Sequence, residues 1–172
     1  MNILKTATLA APSLDDRIRA SLLGLYVADA TAMPVHWMYN LNLLKRDYGR
    51  ITGFAKPLDH FEGSIMNKSN TGGAGRGSNK GSIIGDVINH GKKQHWAPDQ
   101  QNHYHLGLQA GENTLEAQLT RLITRNIVEK DAFDEDAFRA AYIDFMQTPG
   151  SHNDCYAATA HRMFFANLVN GQ

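Results

Sequence analysis

Apolar residues recur along this chain at spacings of three and four rather than two, the pattern of helices that each bury one face. Leu14, Ile18, Leu22, Leu25 and Tyr26 form the first stripe, and Ser13 with Asp16 three residues later sets a capping box at its start. Pro34 ends that helix. Asn40 caps a short helix with Leu41, Leu44 and Tyr48 on one side, and Gly49 closes it. The clearest pattern covers residues 114–129, where Leu115, Leu119, Leu122, Ile123 and Ile127 share a face. Asp134 caps the next helix, whose predicted buried face is Phe138, Ala141, Tyr142 and Phe145, and Pro149-Gly150 breaks it. A last helix is expected to open at Ser151-His152-Asn153-Asp154 and to bury Tyr156, Ala160, Phe164 and Leu168, with His161 and Phe165 beside that face. Residues 82–90 suit a short helix or a strand, and the i, i+4 pairing of their isoleucines and valine favours the helix. No persistent alternation at period two is present. The expected class is all-α, with five helices.

Length and composition sharpen this picture only slightly. A chain of 172 residues suits one domain, here a loose leader at 1–12 followed by a single helical domain at 13–172. Within it, residues 67–81 hold five glycines and three basic residues, too little apolar surface for a packed element. They read as a surface loop or as a lid whose Arg76 or Lys80 touches an anion. The glycines lack the Gly-Lys-Ser/Thr order of a phosphate loop. Seventeen basic residues balance seventeen acidic ones, so charge gives no reason to expect nucleic acid or an anionic membrane as partner. No apolar run approaches the ~20 residues of a membrane span. The single Cys155 excludes an internal disulfide and reads as a buried apolar side chain, and a cytoplasmic location is the default expectation.

Candidate chemistry centres on Gly111-Glu112-Asn113-Thr114-Leu115-Glu116. It puts oxygen ligands at a helix start, where free backbone N–H groups also face a ligand. Asp29 lies near the end of its helix, where the helix dipole disfavours a carboxylate, so it has either a functional partner or a capping role. His36, Trp37 and Tyr39 form a tight cluster that either covers the core or walls a pocket for a base or sugar. His103 and His105 could pair on a metal, but with no cysteine nearby they read better as polar loop histidines.

Three stretches in order resemble the ADP-ribosylglycohydrolase family. Residues 17–36 are similar to its opening helix, Gly-Leu-x-x-Gly-Asp-Ala-x-Gly-x-Pro-x-Glu. Gly24, Leu25, Asp29, Ala30 and Pro34 match, Ala28 and Ala32 stand for glycines, and His36 stands for the acid. Residues 111–118 resemble Gly-x-x-Thr-Asp-Asp-Thr, with Thr114 matching, Leu115 and Glu116 at the aspartates and Ala117 at the last threonine. Residues 151–167 resemble a later buried helix of the family. Gly111-Glu112-Asn113-Thr114-Leu115, His103-Tyr104-His105 and His161-Arg162 with Phe164-Phe165 resemble the branch holding the J-type eye-lens crystallins and selenoprotein J.

The resemblance implies an all-α fold built around two magnesium ions that hydrolyses the N- or O-glycosidic bond of ADP-ribose on a side chain. Thr114 and Glu116 would be the remaining metal ligands and Glu116 with Asp29 the catalytic carboxylates. His36, Trp37, Asn113, His152 and Asp154 would bind the substrate. The implied partner is an ADP-ribose-like small molecule or an ADP-ribosylated protein. Family enzymes are nearly twice as long, so the chain corresponds to an N-terminal half, completed either by a C-terminal half or by a homo-oligomer. Non-catalytic structural or ligand-binding use of the same fold is the alternative. Restoring Leu115→Asp with Ala117→Thr is expected to improve magnesium affinity if the site geometry survives.

Overall fold

Ser13 performs the capping role its spacing predicts: its hydroxyl accepts the Asp16 backbone N–H, and the Asp16 carboxylate returns to the Ser13 N–H. The computed structural model describes residues 11–64, 66, 83–97 and 100–172. From the Ser13 cap runs α1, Leu14–Ala32, which passes at Pro34 into a single 3-10 turn, Met33–Val35. Asn40 Oδ1 caps α2, Leu41–Tyr48, by accepting two backbone N–H groups. Then come α3, Leu115–Lys130, α4, Glu135–Gln147, capped by Asp134, and α5, Thr159–Val169. Among the described residues the β-structure is limited to two isolated bridges, so the fold is all-α. The leader expected at 1–12 falls almost wholly, and the Gly-rich loop at 67–81 wholly, outside the described residues.

The core lies where α3, α4 and α5 meet the segments 83–97 and 100–108. Leu115 and Leu119 of α3, Tyr142 and Met146 of α4, and Phe165 and Ala166 of α5 pack there against Ile84, Ile88 and Trp96. Trp96 satisfies its buried indole by donating to the Cys155 carbonyl at 2.8 Å. The Cys155 thiol is buried, donates to the Tyr104 carbonyl and is pushed up in pKa by that burial, which matches its reading as an inert apolar side chain.

Three local expectations fail. Residues 83–90 form turns rather than a helix, because Gly85 (φ +93°) and Asn89 (φ +49°) adopt left-handed backbone. A Cβ at Gly85 would also lie 2.8 Å from Lys93 Cβ. The last helix begins at Thr159, not Ser151. Asp154 Oδ1 accepts the N–H of Tyr156 two residues on, a side-chain turn that competes with helix. The buried face of α5 is consequently Arg162, Phe165 and Ala166, with Ala160 exposed.

The third failure is the α1 stripe. Leu14, Ile18 and Leu25 are 62%, 50% and 40% exposed, and only Ala30 of this helix is buried. Periodicity marks a face that can be buried, and here only Leu22 and Tyr26 of the stripe are half-buried, Tyr26 under the Arg121 guanidinium.

Truncations at the two ends of this contrast should differ. Phe165→Ala is expected to lower stability by about 3–5 kcal/mol, as for a fully buried aromatic. Leu14→Ala should change it by less than about 0.5 kcal/mol. Urea denaturation of the two variants measures both; a loss above about 1.5 kcal/mol at Leu14 would mean its face is covered in solution.

Candidate functional site

A helix start leaves backbone N–H groups without intrahelical acceptors, and α3 meets this need in an unusual way. Thr114 sits at the cap with extended backbone, yet its side chain makes no capping bond inside the helix. Two carboxylates from distant parts of the chain take the adjacent N–H groups instead. Asp29, near the end of α1, accepts Thr114 N–H at 2.8 Å, and Asp154, ahead of α5, accepts Leu115 N–H at 2.8 Å. The positive end of the α3 dipole favours both. Asp29 also takes the Thr114 hydroxyl at 2.7 Å and the Asn113 amide at 3.0 Å, and Asn113 donates again to the Tyr26 carbonyl. The carboxylate disfavoured at its own helix end therefore caps another helix.

Asp154 is 1% exposed. Burial alone raises its pKa, but the His105 ring and the N–H donors of Leu115 and Tyr156 together hold it below the ordinary carboxylate value. His105 Nδ1 reaches its two oxygens at 2.9 and 3.0 Å. The other nitrogen of His105 lies 2.6 Å from His36 Nδ1. His103 supports the group from behind: its Nε2 donates to the Pro34 carbonyl at 3.1 Å, and its Nδ1 accepts the His105 backbone N–H at 3.0 Å. His103 and His105 are both buried, so they are structural members of the site and not the polar loop histidines expected of them. Burial, then His105, pushes His103 down to about 4. The same two influences lower His36, against Asp29 and Asp154, which raise it.

The predicted site residues divide accordingly. Asp29, Asn113, Thr114, Asp154 and His36 come together around the start of α3. Trp37 (φ +60°) stands beside His36, but its ring packs edge-on against Tyr104 and Tyr156 and so covers the core. Glu116 points elsewhere: its carboxylate meets His161 Nε2 at 3.1 Å, and Tyr142 donates to the other nitrogen of that ring at 2.7 Å. Thr114 and Glu116, expected as joint metal ligands, thus serve different partners. His152 stacks on Phe145 and borders a polar cleft of about 350 Å³. The cleft runs between Asn113, Gln118 and Arg121 on one side and Ser151, His152 and Asn153 on the other. Ser151 Oγ and His152 Nδ1 are buried there with no partner among the described residues. Pattern reading also missed Arg162, which is buried with its guanidinium 5.0 Å over the Trp96 ring. An arginine next to aromatic residues at helical spacing is a weak signal for such packing.

This donor set does not fit magnesium, which asks for near-octahedral oxygen ligands. Leu115 and Ala117, at the positions of a family aspartate and threonine, are buried apolar side chains. The Thr114 hydroxyl is committed to Asp29. Among the described residues, no three His, Cys, Asp or Glu side chains converge in a metal-binding group.

A helical fold whose α1 aspartate clamps the threonine of a Gly-x-x-Thr helix start defines the class. The ADP-ribosylglycohydrolase family profile matches residues 10–172, and the chain belongs to that family. No curated protein and no solved structure matches. No helix of the described residues is long and apolar enough to cross a membrane.

The pH dependence of stability follows from His103. Its folded value lies below the 6.5 of a free imidazole. Between those values the unfolded chain binds a proton that the folded chain excludes, so this contribution is present above pH 6.5 and is lost as pH falls towards 4. Urea titrations across that window should show a decline of at most about 3 kcal/mol from this residue. His103→Gln, which keeps a donor for the Pro34 carbonyl, should flatten the slope, and an unchanged slope would assign it to another group.

Proposed function

We infer that the chain is an ADP-ribosylglycohydrolase-like protein that binds an ADP-ribose-type glycoside at the start of α3. The observation that carries this reading is the polar cleft beside Asn113 and Arg121. It combines a cationic side chain, amide and hydroxyl groups, and two buried polar atoms that lack a partner among the described residues. Its volume of about 350 Å³ suits one polar moiety of such a ligand rather than all of it. Membership in the family supplies the ligand class.

A second reading, non-catalytic use of the same fold as in a crystallin-like branch, is favoured by one specific observation. The two motif positions that lost their oxygen ligands are filled with core side chains, and Leu115 is 1% exposed. Magnesium-dependent hydrolysis therefore has no complete ligand set among the described residues. Calorimetry with ADP-ribose, with and without magnesium, together with a release assay on ADP-ribosylated substrate, separates the readings. Saturable magnesium-independent binding supports the ligand-binding reading, magnesium-dependent release restores the hydrolase, and neither binding nor release leaves the structural role.

The burial of Leu115 also reverses the expectation for the restored motif. Leu115→Asp puts a carboxylate into the core and should cost about 3–5 kcal/mol in urea denaturation with no measurable gain in magnesium affinity. A folded variant with tighter magnesium binding would refute this.

A further inference from the structure

Arg121 borders the polar cleft at the start of α3, and among the described residues no carboxylate pairs with it. It is nevertheless held in place. Its guanidinium lies 5.0 Å over the Tyr26 ring of α1, and Nη2 donates to Asn113 Oδ1 at 3.2 Å. Asn113 is fixed in turn: its Nδ2 donates to the Tyr26 carbonyl and to Asp29, and its backbone carbonyl accepts the Gln118 amide at 3.3 Å. These bonds engage both amide hydrogens and the oxygen of the Asn113 side chain, so Asn113 positions Arg121 rather than meeting a ligand.

The acids nearby are committed as well. Glu112 lines the same cleft, but its two oxygens accept the Gln109 backbone N–H and the Asn153 amide, each at 2.7 Å. Asp29 is taken by Asn113 and Thr114. What the α3 wall leaves uncommitted is the rest of the guanidinium, a donor-only group, beside the Gln118 amide. Across the cleft the Ser151 hydroxyl is buried without a partner among the described residues and can donate too.

We propose that this cleft is an oxyanion site in which Arg121 takes the diphosphate of the bound glycoside. The proposal rests on the ADP-ribose reading above and names the part of the ligand and the residue that meets it. A sugar hydroxyl donates as well as accepts, whereas phosphate oxygens only accept, and a donor-only group selects the latter. A planar guanidinium offers such oxygens two parallel N–H bonds. Stacking on Tyr26 fixes its plane before the ligand arrives, so less side-chain freedom is lost on binding. Arg121 is exposed, so salt screens the contact.

The test uses the whole chain, with ADP-ribose, ADP and inorganic pyrophosphate as probes. In calorimetry Arg121→Gln should weaken ADP-ribose and ADP alike, by about 10-fold, the loss of one charge-assisted contact. Arg121→Lys, which keeps the charge without the planar fork, should recover part of that loss. Added potassium chloride should weaken ADP-ribose on the wild-type chain and on Arg121→Lys, and much less on Arg121→Gln. A residue that only braced α1 against α3 would give no such difference in salt response, and its absence overturns the proposal. Wild-type ADP-ribose affinity in Arg121→Gln also overturns it and leaves the functional reading standing. Pyrophosphate binding that depends on Arg121, without ADP-ribose binding, supports the oxyanion site and overturns the functional reading. A wild-type chain that binds none of the three probes overturns both. If Arg121→Gln does not fold, competition on the wild-type chain decides: pyrophosphate should displace ADP-ribose, and failure to displace it overturns the proposal.

Discussion

Two neighbouring backbone N–H groups at the start of α3 hold the functional end of this molecule together. Each binds a carboxylate brought from far away in sequence, Asp29 from α1 and Asp154 from ahead of α5. Without these two bonds α1 has little reason to lie where it does, since its apolar stripe is largely exposed. A polar clamp does the positioning that a hydrophobic interface usually performs. Buried carboxylates of this kind are tolerable only when their donors are complete, and Asp154 has donors from Leu115, Tyr156 and His105.

The imidazoles extend that clamp outward. His105 spans the distance between a carboxylate excluded from water and a half-buried ring, and His103 pins the backbone of both partners. Desolvation keeps His103 neutral, as its two bonds require: one nitrogen donates and the other accepts. Contacts thus run in series from Asp154 to His105 and from His105 to His36.

Much of the helical framework was legible because caps and stripes are local. Ser13, Asn40 and Asp134 act where their spacing places them, and Thr114 marks the start of α3. Asp29 was legible as an anomaly, an acid at the wrong helix end, although its partner was not. The rest depends on long-range contacts that spacing cannot encode. The last helix was expected to open at Ser151-His152-Asn153-Asp154 because an apolar pattern follows, whereas Asp154 is buried and turns its own backbone away from helix. His103 and His105 looked like surface residues because their burial is stabilised by acceptors 49 to 69 residues away, in Asp154 and Pro34. The α1 stripe shows the converse limit: amphipathic spacing predicts a face, and tertiary context decides whether anything lies against it.

Leu115 belongs to two systems at once. Its N–H is part of the polar clamp, while its side chain is part of the core formed with Trp96 and Phe165. Mutational routes through this residue are therefore pleiotropic. A change that repacks the core shifts the amide that holds Asp154, and a change that adjusts the clamp disturbs the core. Core packing and the geometry of the clamp share one mutational target here, so neither can be tuned at position 115 without the other.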